Sequence, residues 1–179
     1  FEKLQELDEK DSKEISQVLF PVITYIEKYK NFENEVVCTK SLILESFGIR
    51  NSPRNISKVS KAIEFLISLD IISITNDISI ASSKSNSMIH IFINEDDRIY
   101  RRHEVEFINK LINVIQKSNE RFSCGLVFYY IAYKIKYYSY GSGYTSARIS
   151  YQEMVDDLSI GSRNTIGKYV RLLEKEKII

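Results

Sequence analysis

Asn164, Lys168, Arg171 and Lys175 follow one another at intervals of four, three and four residues, which sets one amide and three cations along one side of a helix with 3.6 residues per turn. Ile166, Val170 and Leu173 fall on the other side. In a DNA major groove an amide can pair with adenine edges, a guanidinium with guanine, and ammonium groups with phosphates. Surface helices also turn Lys and Arg outward for solvation alone. The local context of the stripe decides between these readings.

That context begins at Ser150, which forms a capping box with Glu153 and starts a short apolar helix through Val155 and Leu158. A break follows at Ser159-Ile160-Gly161, and Ser162 can cap a second helix running to about Lys177. Ile178-Ile179 then sits where a strand would begin. Over residues 158–179 the pattern L-x-I-x-S-x-x-T-I-x-x-Y-x-x-x-L-E-x-x-x-I-I resembles the helix-turn-helix of winged-helix DNA-binding domains. The wing hairpin of that family would follow Ile179, the last residue of the sequence.

A similar order occurs earlier. Ile15, Val18, Leu19, Val22, Ile23 and Ile26 keep a helical rhythm that predicts one helix over residues 12–30. Residues 31–35 are a polar break. Thr39 caps a short helix through Leu42, Ile43 and Phe47, ending at Gly48. Ser52-Pro53 opens another helix, with Pro at its first position, continuing to Leu69. Ile71 to Ile74, Asn76-Asp77 and Ile78 to Ile80 predict a tight β-hairpin, and residues 88–93 a further strand. At an offset of 107 residues, Val59, Ile63, Leu66 and Ile71-Ile72 overlay Ile166, Val170, Leu173 and Ile178-Ile179, an internal repeat in diverged form. The second copy takes its first helix from residues 123–137. An apolar face through Val105, Ile108, Leu111, Ile112 and Ile115 predicts a helix over residues 104–117 that joins the copies or forms a dimer seam.

The expected architecture is therefore mainly α with small β-hairpins (α+β), as two tandem winged helix-turn-helix domains joined by a helix. Residues 1–97 form the first domain, 98–120 the connector and 121–179 the second domain. The first copy turns Ser57, Lys61, Glu64 and Ser68 outward, and a glutamate there repels phosphate. Interaction or dimerisation suits it better than base reading, although Arg50, Arg54, Lys58 and Lys61 could hold a DNA backbone.

Charge divides in the same sense. Residues 1–100 hold 12 Lys+Arg against 16 Asp+Glu, a net of −4, and residues 101–179 hold 13 against 8, a net of +5. The C-terminal part is thus the one suited to a polyanion. Cys38 and Cys124 lie among apolar neighbours and read as two small buried thiols, which suits a reducing cytosol. No run approaches 18 apolar residues, so no membrane span is expected, and the acidic start at residues 1–11 does not read as a signal peptide.

Tyr129, Tyr130, Tyr133, Tyr137, Tyr138, Tyr140 and Tyr144 gather near Lys134, Lys136 and Arg148. Stacking on unpaired bases is one reading; packing of the first four tyrosines into core and helix seams is the favoured one. Gly141-Ser142-Gly143 lacks the spacing of a phosphate loop. The two histidines, His90 and His103, have no ligand spacing, and no nucleophile–base order or H-E-x-x-H occurs, so neither enzyme, metal nor cofactor is expected. Asp96-Asp97 and Asp156-Asp157 read as a turn and a helix end.

The tandem arrangement resembles replication-initiation and primosome proteins of low-GC plasmids and phages, and equally transcriptional regulators. The resemblance implies a homodimer on a symmetric double-stranded DNA site in the bacterial cytoplasm, at the nucleoid, with a replication or transcription protein as possible partner. Base contacts would come from Asn164, Lys168 and Arg171, and phosphate contacts from Ser162, Arg163 and Lys175. The alternatives are a winged-helix protein–protein adaptor, as in chromosome-condensation accessory subunits, and a sensor holding a small ligand in an inter-domain cleft.

Overall fold

The computed structural model describes residues 6–94, 112–113, 122–139 and 148–179, with backbone alone at 136–139. The helix expected over residues 104–117 lies outside the described residues except at Ile112 and Asn113. His103, Tyr140, Tyr144 and Gly141-Ser142-Gly143 also lie outside them. The described part is mainly helical with one small antiparallel sheet: helices α1 (Glu9–Ser16), α2 (Leu19–Tyr29), α3 (Lys40–Ser46), α4 (Pro53–Ser68), α5 (Ser123–Ser139), α6 (Tyr151–Leu158) and α7 (Arg163–Lys175), and strands β1 (Glu35–Cys38), β2 (Ile72–Ile74) and β3 (Ile89–Ile93). Two compact units emerge, Gln17–Ile108 and Phe1–Ser16 with Asn109–Ile179. No described helix is long and apolar enough to cross a membrane.

The single helix expected over residues 12–30 is two, α1 and α2, parted at Gln17-Val18. Pro21 is the reason. Its ring would strike the carbonyl of Gln17 in a continuous helix and it lacks the N–H that helix would need, whereas three residues into α2 it replaces a donor that has no partner anyway.

In the unit Gln17–Ile108, Thr39 caps α3 by accepting from Leu42 N–H (3.1 Å), and Ser52 caps α4, which has Pro at its start. Gly48 closes α3 at φ 63°, in the left-handed region that glycine enters at least cost. β1 was not expected from the sequence. It alternates exposed and buried residues, placing Val36 and Cys38 inward, and pairs antiparallel with β3 from Glu35↔Phe92 to Cys38↔Ile89. The strand order is β1-β3-β2.

The expected tight hairpin gives way to a longer one. β2 pairs with β3 (Ile72↔Ile93, Ile74↔Ile91), not with residues 78–80. Asn76 extends the pairing with its side chain, donating to Met88 C=O (3.0 Å) and accepting from His90 N–H (3.1 Å). Ile80 is buried, and its carbonyl accepts a bond from the buried Lys40 ammonium (2.6 Å), which also donates to Ser83 C=O (2.9 Å). Burial lowers the Lys40 pKa, a shift that the charge of Glu64 opposes.

In the other unit, α5 packs on α7 and α6, and α1 joins them through buried Ser12, Ile15 and Ser16. The ends of α4 and α7 match in detail. Ile71 N–H reaches Leu66 C=O (3.1 Å), and Ile178 N–H reaches Leu173 C=O (2.9 Å). Between them Asp70 (φ 57°) and Lys177 (φ 54°) are left-handed, the Schellman closure of a helix. These pairs stand 107 residues apart.

Candidate nucleic-acid interface

α7 is positioned by its inner face. Ile166 and Leu173 are fully buried, Tyr169 and Val170 nearly so, against α5 and α6. Ser162 caps the helix, accepting from Thr165 N–H (3.4 Å), with Thr165 Oγ1 also 3.3 Å from its hydroxyl. The bend before it uses two left-handed residues, Ser159 (φ 51°) and Gly161 (φ 51°). Ser150 caps α6 from the other end, accepting from Glu153 N–H at 3.0 Å.

All four stripe residues, Asn164, Lys168, Arg171 and Lys175, are exposed. At about 100° per residue they fall within roughly 60° of arc. Ser162 and Arg163 are exposed beside them, and so is Glu174. Arg163 is not a simple surface cation: its Nε donates to Gln152 Oε1 (2.6 Å) on α6, and Gln152 Nε2 donates to Asp156 Oδ1 (2.6 Å). The remaining guanidinium donors of Arg163 are aimed by this bond, because the group is a rigid fork.

The seat of α6 is a polar cluster. Tyr130 on α5 is fully buried, and its hydroxyl meets Glu153 Oε1 (3.2 Å) and Asp157 Oδ2 (2.5 Å) on α6. Lys134, one turn along α5, pairs with Glu153 (2.8 Å) and lies 3.7 Å from Asp157, with its ammonium 5.2 Å from the Tyr130 ring centre. Burial and the two carboxylates push the Tyr130 hydroxyl pKa well up, while the Lys134 bond holds the Glu153 carboxyl below its ordinary value. Tyr130 is therefore a core tyrosine with polar work, and Asp157 is more than a helix end. A polar partner one turn from Lys134 on α5 and an acidic pair on α6 were the available signals.

The other predicted phosphate holders divide. Arg54 is exposed at the start of α4 and Lys61 is half-buried. Lys58 is a correction: it is buried and its ammonium bonds to Gln17 Oε1, so it faces its own unit instead of solvent. Burial also raises both thiol pKa values, Cys38 and Cys124, to about 12. Among the described residues no group of His, Cys, Asp and Glu is arranged to hold a metal ion. Neither family models, nor curated proteins, nor solved structures yield a match to this chain.

Proposed function

We propose that this chain is a sequence-specific binder of double-stranded DNA, built from two tandem winged helix-turn-helix domains, with α7 as the reading helix. The observation that carries the proposal is the division of α7 into a buried apolar side and an exposed side bearing Asn164, Lys168, Arg171 and Lys175. The helix–strand–helix–helix–strand–strand order of the first unit, with sheet order β1-β3-β2, supports the winged-helix reading, as do the matched ends of α4 and α7. Initiation of plasmid or phage replication and transcriptional regulation both use such a binder, as a dimer on a symmetric site.

A second reading applies to the unit Gln17–Ile108, which we take as a surface for self-association or a protein partner. Buried Lys58 and Lys40 favour it, because both ammonium groups are withdrawn from the surface that a DNA backbone would meet.

Selection of bound duplexes from a random pool, followed by sequencing and salt titration, tests the main reading. One enriched sequence and a steep fall in affinity between low and moderate ionic strength are expected. No enrichment with a flat salt response would leave the adaptor as the better account.

A further inference from the structure

We propose that Ser12 and Ser16, from the opposite end of the chain, are positioning residues for α7: α1 clamps the bend from which α7 departs. This rests on the DNA reading above. Ser16 Oγ donates to Leu158 C=O (2.8 Å), one of the last-turn carbonyls of α6 that have no helical partner. Ser12 Oγ donates to Ser159 Oγ (2.8 Å). Both serines are buried, at 2% and 3% exposure, and Ile15 lies with them on the same face of α1.

The place of these bonds is what matters. Ser159 holds φ 51°, a left-handed conformation that a residue with a Cβ adopts only where its surroundings require it. The two hydroxyls fix the carbonyl just before that residue and the side chain upon it. α7 begins at Arg163, four residues later, so the torsions at Ser159 set its direction.

With about 1.5 Å of rise per residue, α7 is roughly 20 Å long, and a tilt of about 10° carries its far end roughly 3 Å. Hydrogen bonds to base edges tolerate only a few tenths of an ångström. Attraction to phosphates acts over about 8–10 Å and tolerates such a shift. Loosening the clamp therefore removes discrimination before it removes attraction.

The test uses the full chain with Ser12→Ala/Ser16→Ala, Ser12→Ala alone and Ser16→Thr. Each is titrated against the duplex that the wild-type chain selects from a random pool and against a random-sequence duplex, at two salt concentrations. The double variant should lose about tenfold on the selected duplex. Its affinity for random duplex and its salt slope should not change, and Ser16→Thr, which keeps the hydroxyl, should stay near wild type. Ser12→Ala alone should show a smaller loss of the same kind, and it serves if the double variant does not fold. Undiminished selected-duplex affinity, or an equal loss on both duplexes, overturns the proposal. Amide hydrogen exchange across residues 160–166 reads the clamp without DNA, and unchanged exchange in the double variant also overturns it. A wild-type chain that enriches no duplex sinks the DNA reading instead; exchange then judges the clamp alone, faster exchange sustaining it.

Discussion

The ring of Tyr151 lies over Gly167 so closely that a Cβ at position 167 would stand 3.0 Å from its Cε2 atom. α6 and α7 thus approach where one residue has no side chain, on a buried position of an otherwise regular helix. Alanine there would favour α7 by about 1 kcal/mol through helix propensity but would displace the ring of Tyr151 from its contact with α7. Gly167→Ala should therefore be close to neutral in thermal unfolding, while in a Tyr151→Ala background it should stabilise by about 1 kcal/mol. Equal effects in both backgrounds would show that the ring exerts no pressure at this site.

Arg171 and Lys175 stand at different steps of the same exposed stripe, and their losses should differ in kind. Arg171→Ala should cost about 1–3 kcal/mol of discrimination at one base pair of the selected duplex. Lys175→Ala should weaken all sequences about equally and lower the salt slope by about one. Titrations of both variants on selected and random duplexes check this; wild-type behaviour from both removes α7 from the interface.

Much of this architecture was legible because caps and turns have local chemistry. Ser52-Pro53, Thr39, Gly48, Ser150 and Ser162 each mark a helix boundary where the structure has one. The α7 stripe was legible because helical spacing alone fixes which residues share a side. The errors lie where a local pattern has a stronger tertiary competitor. Pro21 breaks an apolar rhythm that periodicity alone carries through. Ile78 to Ile80 resemble a return strand, but Ile80 is drawn into the core and its carbonyl serves Lys40. β1 is four residues long and gains its partner from β3, more than fifty positions away. The Ser12 and Ser16 contacts span 147 and 142 positions, and no local signal announces them.

Glu153 gives the fold a pH dependence of definite sign. Lys134 bonds its carboxylate and holds the folded pKa below the ordinary value of 4.5. Between those two values the unfolded chain binds more protons, so stability rises with pH across that window. The contribution is whole above the unfolded value and vanishes as pH falls through the folded one. In Lys134→Met this part of the slope below about pH 4.5 should flatten, measured by urea unfolding at successive pH values. An unchanged slope would place the acid sensitivity in other carboxylates.

Lys40 offers the sharpest test of what holds the long β2–β3 connection in place. The residue is 1% exposed, and its ammonium donates to the carbonyls of Ile80 and Ser83, drawing residues 80–83 onto the start of α3. Ser60 and Ser83 hydroxyls also reach Ile80 C=O, at 3.4 and 3.0 Å, so that carbonyl keeps a donor when Lys40 is lost, whereas Lys40 supplies the bond described for Ser83 C=O. Lys40→Ala removes a buried side chain as well as its charge, and it should cost about 2–3 kcal/mol. Lys40→Met fills most of the volume and should recover part of that loss by restoring packing, while the bond to Ser83 C=O stays lost. Urea unfolding of the two variants separates volume from charge: recovery in Met assigns the penalty to packing, and equal destabilisation assigns it to the two carbonyl bonds.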